Sequence, residues 1–191
     1  MSKKNVAVVM GGYSDEYKVS LKSGQLIFDS LDREAYNVYK VVILTDEWYF
    51  SDENNNKKPI NKADFSADFG NGESLKFDVC FNIIHGTPGE NGILQAYWDA
   101  VGQKYTGCDF YQSALTFNKK DTLAVLSKYG IPSAKSIYLR KGEEISNDEI
   151  VEKLGLPVFV KPNQSGSSLG ISKVKEKSEL AKALEVAYKE D

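Results

Sequence analysis

The sequence has no apolar run of the length that a bilayer demands, so a helical membrane span is excluded. It has two cysteines, Cys80 and Cys108, too few to form a metal motif by themselves. Positive charge is not in excess: 24 Lys and Arg against 27 Asp and Glu leave a net charge of −3, with the basic residues dispersed. That removes a broad electrostatic reason to bind nucleic acid or an anionic membrane. There is no G-x-G-x-x-G, which leaves a dinucleotide site weakly supported. There is no internal repeat and no export signal. The opening MSKKNVAVVMGG has lysines before a short apolar run, but the run stops at Gly11-Gly12 and reads as a first core strand. Cys80 lies inside the apolar run FDVCFNII and is expected as a buried reduced thiol, which fits a reducing, cytoplasmic compartment.

What is present is an alternation of strands and helices. Asn5–Met10, Tyr36–Leu44 and Phe77–Ile84 read as buried strands, and Lys104–Thr106 as a brief one. Val19–Leu31 and Ile93–Val101 read as helices, and Trp48–Phe50 as a hairpin arm before the Asn-rich turn DENNNKK. The β-α-β rhythm predicts a parallel sheet covered by helices. Aromatics around Trp48 and Trp98 suit core packing or a subunit contact equally. The pattern changes after Gly107, and a domain boundary is expected within 105–118. Beyond it come a helix from Lys119 to Tyr129 stopped by Gly130-Ile131-Pro132, and a strand near Ser136–Leu139. A helix near Asn147–Leu154 follows, with a capping box from Ser146 and Glu149. A strand–loop–strand over Val158–Val174 and a helix from Ser178 complete the pattern. That last helix runs into Asp191 without a C-cap or a closing strand, which reads as one part of a larger protein.

Three places carry residues suited to chemistry. The first is PVFVKPNQSGSSLG, from Pro157 to Gly170. It sets Lys161 at the end of a buried strand beside a loop rich in free backbone N–H groups and hydroxyls, a cradle for phosphate. A β-hairpin with a flexible Gly/Ser turn is the competing reading. The second place is the pair of loops GGYSDE (Gly11–Glu16) and HGTPGENG (His85–Gly92), each at the carboxyl end of a predicted parallel strand, where open α/β sheets bind ligands. Glu16 suits an ammonium group, and His85 a carboxylate or an orienting role. The bland alternatives are that Glu16 favours a helix dipole and that His85 is structural. Three glycines, 86, 89 and 92, imply an unusual backbone path, with Glu90 as a cap for the following helix. The third place is Lys119-Lys120 after Asn118, which reads as an N-cap. Two cations then sit in a first helical turn, where the macrodipole disfavours them. Either they extend into water or an anion sits there.

These segments, in this order, resemble the D-alanine–D-alanine ligases of the ATP-grasp superfamily. The resemblance is carried by GGYSDEYKVSLKSG (Gly11–Gly24), HGTPGENGILQAYWD (His85–Asp99), YTG (Tyr105–Gly107), SALTFNK (Ser113–Lys119), GIP (Gly130–Pro132) and LPVFVKPNQSGSSLGISKV (Leu156–Val174). It implies an α/β fold: a parallel-sheet, substrate-binding domain over 1–107, then the first α+β subdomain of an ATP-grasp module over 108–191, incomplete here. It implies an ATP-dependent ligase that phosphorylates the carboxylate of one D-alanine and lets the amine of a second displace phosphate, for peptidoglycan precursors. By the same carry-over, Glu16 holds the first ammonium with His85 close by. Lys119 and Lys161 contact ATP phosphates, and Gly166, Ser167 and Ser168 fold over them. Ser167 links to Glu16 and to a later lid loop, so Glu16 and Ser167 are the catalytic assignments. Mg2+ is expected, with its ligands beyond Asp191 and none on this stretch, and a homodimer is implied.

Three positions depart from the family pattern. Asn91 and Asn118 stand where Asp is usual, and Ser165 stands at an often acidic position. With metal carboxylates, catalytic Arg and lid loop all expected beyond Asp191, residues 1–191 alone are expected to be inactive in ligation. A D-Ala–D-lactate or D-Ala–D-Ser ligase is the neighbouring alternative, and a non-catalytic small-ligand-binding domain is the alternative from another class.

Overall fold

The computed structural model describes residues 2–51, 56–69 and 72–191. They divide into two compact units, one up to Ala114 and one from Leu115. The Asn-rich turn expected after Phe50 falls largely on 52–55, outside the described residues.

The first unit contains β1 (Lys4–Gly11), α1 (Tyr17–Ser30), β2 (Tyr36–Ile43), β3 (Trp48–Ser51), β4 (Lys57–Asn61), β5 (Ser66–Asp68), β6 (Ser74–Leu75), β7 (Val79–Asn82) and α2 (Ile93–Val101). The strands form one sheet in the order β6-β5-β4-β3-β2-β1-β7. At its centre β1 runs parallel to both β2 and β7, with Val9 opposite Val41 on one side and Asn82 on the other. From β2 outward the strands are antiparallel, so a meander extends the parallel core. The segment expected as a strand at Lys104–Thr106 is a single parallel bridge, Tyr105 to Cys80, on the outer side of β7.

β1 is apolar without alternation because both of its faces are covered. Ala7 and Val9 join one core with Val41, Ile43, Cys80, Leu94 and Trp98. Val8 and Met10 join another with Val42, Leu21 and Phe28. Trp98 is fully buried, and Trp48 packs against the same core, so the packing reading of these aromatics holds. Burial pushes the Cys80 thiol well above its ordinary range, and both cysteines are free.

The second unit is reached through α3 (Phe110–Phe117). It holds α4 (Lys119–Lys128), α5 (Asn147–Leu154), β8 (Val158–Val160), β9 (Ser172–Val174), a 3-10 turn (Lys177–Glu179) and α6 (Leu180–Ala187). β8 and β9 pair antiparallel, Val158 opposite Val174. Ile150, Val174, Leu180 and Ala183 form its core. The strand expected near Ser136–Leu139 is absent. That stretch is irregular, and Ile137 packs on the core without a ladder partner. Ser146 caps α5 by accepting from the Glu149 N–H at 3.1 Å, but the Glu149 carboxylate pairs with Lys153 instead of closing the box. The full reciprocal box belongs to Glu176 and Glu179.

Among the described residues no helix is long and apolar enough to cross a membrane.

Candidate functional site

In the first unit, the loops after β1 and β7 leave the same edge of the sheet because their strands are parallel neighbours. They are fastened together. The Tyr13 N–H donates to the Thr87 carbonyl at 2.8 Å. The Ser14 hydroxyl donates to the His85 carbonyl at 3.2 Å.

Ser20, fully buried on α1, joins the two strand ends beneath them. Its Oγ accepts from the Gly11 N–H at 2.9 Å and donates to the Ile83 carbonyl at 2.8 Å. One hydroxyl thus satisfies two backbone groups that neither strand ladder reaches.

Glu16 is buried at the first turn of α1, with its side chain making no cap hydrogen bond to the helix. Its Oε2 lies where a Cβ on Gly86 would come within 3.0 Å, and Ser14 Oγ within 2.7 Å. Gly86 itself has φ +70°, the left-handed region. A carboxylate from the first loop thus rests against the glycine that follows His85. His85 Nε2 is buried and finds no hydrogen-bond partner among the described residues. A buried, unpaired ring nitrogen is costly unless something outside the chain completes it.

Glu90 is not the cap of α2. Its carboxylate accepts from the Gly86 N–H at 2.7 Å, and Gly92 occupies the N-cap position. The anion is drawn back to brace the loop, and Asn91 binds Thr87 in the same turn at 2.9 Å.

In the second unit, Asn118 caps α4, its Oδ1 accepting from the Asp121 N–H at 3.0 Å. Lys119 does not simply extend into water. Its Nζ donates to the carbonyls of Ser165 at 2.7 Å and Asn163 at 3.3 Å. Asn163 answers through its side chain, accepting from the Lys120 N–H at 2.9 Å and donating to Asn118 at 3.0 Å. The first turn of α4 is thereby tied to the loop between β8 and β9, and the loop is held by a cation.

Lys161 follows β8 and lines the same open groove as Lys119, about 1270 Å³ with Lys120, Tyr138 and Phe159 also on its walls. The Lys119 ammonium is held below its usual range, first by burial and second by the positive charge of Lys161. Two cations that raise each other's energy across a shared groove fit an anion well. An anion would relieve both.

Within the loop, Ser167 and Ser168 sit at φ +42° and +61°. Left-handed backbone costs a non-glycine residue roughly 1 kcal/mol each. Gly166 accepts from the Leu169 N–H at 2.9 Å, which closes the turn between these serines and β9. Among the described residues no group of three or more His, Cys, Asp or Glu side chains is placed to hold a metal ion.

The structure thus sets Glu16 near His85 in one unit, and Lys119 near Lys161 with the Gly166–Ser168 loop in the other. Sequence reasoning did not single out Ser20, Ser14 or Asn163. The helical spacing of Ser20 places it under the strand end, but one serine in VSLKSG carries no pattern of its own. For Asn163, the signal was its position two residues after Lys161, in a loop already suspected of cradling an anion.

Two family models match: "D-ala D-ala ligase N-terminus" over residues 5–108 and "D-ala D-ala ligase C-terminus" over 125–191. A D-alanine--D-alanine ligase of Flavobacterium psychrophilum is 62% identical over 187 residues, covering 98% of this chain and 56% of that protein. The D-alanine-D-alanine ligase structure from Coxiella burnetii matches with TM-score 0.89 at 27% identity, over 99% of this chain and 61% of its own. VanG D-Ala:D-Ser ligase from Enterococcus faecalis matches with TM-score 0.81 at 33% identity, over 98% and 61%. The chain spans a little over half the length of the curated relatives it matches.

Proposed function

Because the chain belongs to the D-alanine–D-alanine ligase family, we propose that it supplies the substrate-binding and phosphate-gripping part of an ATP-dependent ligase joining two D-alanines for peptidoglycan precursors. Residues 1–107 act as the substrate domain and 108–191 as the first part of the ATP-grasp module. The observation that carries this reading is the buried Glu16 carboxylate beside Gly86 and the unpartnered His85 Nε2. A negative group and an open ring nitrogen, brought together by two fastened loops, suit the ammonium and carboxylate of a small amino acid.

In this reading Glu16 takes the ammonium of the first D-alanine and His85 turns Nε2 toward the same molecule. Lys119 and Lys161 hold phosphate oxygens, which is where their paired charges support the assignment. ATP transfers its terminal phosphoryl group to the D-alanine carboxylate, leaving ADP and an acyl phosphate. The amine of the second D-alanine attacks the acyl carbon, loses a proton and expels phosphate. Gly166, Ser167 and Ser168 cover the site and keep water from the acyl phosphate. Mg2+ supplies charge neutralisation on the triphosphate when bound, held by carboxylates other than those of these loops. The enzyme works in the cytoplasm as a homodimer, as the family resemblance implies.

The test is calorimetry with D-alanine on the wild-type protein and on Glu16→Gln. Loss of the carboxylate charge is expected to weaken binding by at least about 30-fold, on the order of 2 kcal/mol. Unchanged binding would remove Glu16 from the substrate role. ATP-dependent dipeptide formation by residues 1–191 alone would overturn the division of labour. D-serine as second substrate is the other reading, favoured by the match to a D-Ala:D-Ser ligase; product analysis with mixed D-alanine and D-serine separates the two.

A further inference from the structure

We propose that Trp48 is a positioning residue for the Gly11–Glu16 loop: its indole N–H holds the Tyr13 hydroxyl and thereby sets the affinity of the site for its first amino acid. The inference rests on the substrate role given above to Glu16.

Tyr13 stands three residues before Glu16, and it is one of the two points where the loops join, through its N–H to Thr87. Its hydroxyl accepts from Trp48 Nε1 at 3.0 Å. Trp48 is itself fixed from several sides. Its ring meets Tyr97 edge-on at 5.4 Å and Phe65 at 6.3 Å, and Lys62 Nζ lies 4.8 Å above it. Tyr97 belongs to α2, the helix that continues from the second loop, and its hydroxyl donates to the Lys62 carbonyl at 2.9 Å. The indole is therefore a rigid donor.

Tyr13 is 38% exposed, so water could satisfy its hydroxyl if Trp48 were absent. The bond contributes little to folding for that reason. What it determines is where the phenol ring, and with it the backbone leading to Glu16, comes to rest. This gives the antiparallel extension a task. β3 pairs with β2 on one side of β1 and carries Trp48 to the Tyr13 hydroxyl, while β7, which leads to His85, pairs on the other side of β1.

The experiment measures D-alanine affinity by calorimetry, with steady-state kinetics and tryptophan emission, on the full-length protein and its Trp48→Phe, Tyr13→Phe and double variants. Trp48→Phe keeps the aromatic packing, and Tyr13→Phe alters an exposed position and folds normally. Each single variant is expected to weaken D-alanine binding roughly three- to tenfold, the range of one neutral hydrogen bond. The double variant is expected to be no weaker than either single one. KM for the first D-alanine rises while kcat stays within about twofold. An emission change on adding D-alanine is expected in the wild type and is expected to be lost in Tyr13→Phe. Wild-type affinity in either single variant, or additive losses in the double, would overturn the proposal. If Glu16→Gln also binds D-alanine normally, the substrate reading fails first, and the two failures are thereby told apart.

Discussion

Gly86→Ala isolates the contact between the two loops. The substitution has two separable effects. A side chain at φ +70° costs about 1–2 kcal/mol by backbone sterics alone. The new Cβ would also stand 2.7 Å from Ser14 Oγ and 3.0 Å from Glu16 Oε2. Both are side-chain ends and can move, but moving Ser14 breaks its bond to the His85 carbonyl, about 1 kcal/mol more. The sum is about 2–3 kcal/mol, a fall in Tm of roughly 5–10 °C for a chain of this size. Gly102→Ala is the control. Gly102 has φ +71°, the same backbone demand, with no atom within 4 Å of its Cβ position. It should show the first effect only and leave the site intact. Thermal unfolding separates the stabilities, and calorimetry with D-alanine reads the site. Gly86→Ala is expected to bind at least about tenfold more weakly, a loss of about 1.4 kcal/mol, while Gly102→Ala binds as the wild type does. Equal Tm losses together with equal affinities would refute the argument that Gly86 is kept open for Glu16.

Ser20→Ala should lower stability by about 2 kcal/mol in denaturant unfolding, because the Gly11 N–H and the Ile83 carbonyl both lose their buried partner; a loss below about 0.5 kcal/mol would show that the staple is dispensable. Lys119 titrates below the ordinary 10.5 of lysine in the folded chain, so the unfolded chain holds more protons between the two values and stability rises with pH across that window. Lys161→Met removes the second cause of that depression, and the alkaline rise, followed by urea midpoints at increasing pH, should shrink toward its burial component; an unchanged profile would mean that the two ammonium groups do not sense each other.

The parts of the fold that could be read in advance are those where one physical signal dominates. Ile93–Val101 was legible because a glycine precedes it, a glycine ends it, and Leu94 and Trp98 fall on one face. Asn147–Leu154 was legible from its serine cap. The continuous apolar run of β1 indicated a strand covered on both faces. The outer strands β4 to β6 were not legible, since they are short and polar and owe their pairing to neighbours already in place. α3 was missed because Phe110 and Tyr111 are exposed and blur its face, although Asp109 accepting from the Gln112 N–H marks its start. At Ser136–Leu139 apolar spacing suggested a strand where the side chains only pack an irregular segment. In the site, residue types pointed to Glu16, His85, Lys119 and Lys161, since charge and ring nitrogens announce themselves. The fastenings by Ser14, Ser20, Asn163 and Trp48 are ordinary residues whose importance comes from distance across the chain, which no local pattern encodes.

An ammonium carries three protons, and Lys119 has committed two of them to the Asn163 and Ser165 carbonyls. Only one remains to be offered. Any anion that draws more than a single contact from this lysine must loosen the segment it restrains, so guest and latch compete for the same hydrogens, and arrival of the first is felt as slack in the second.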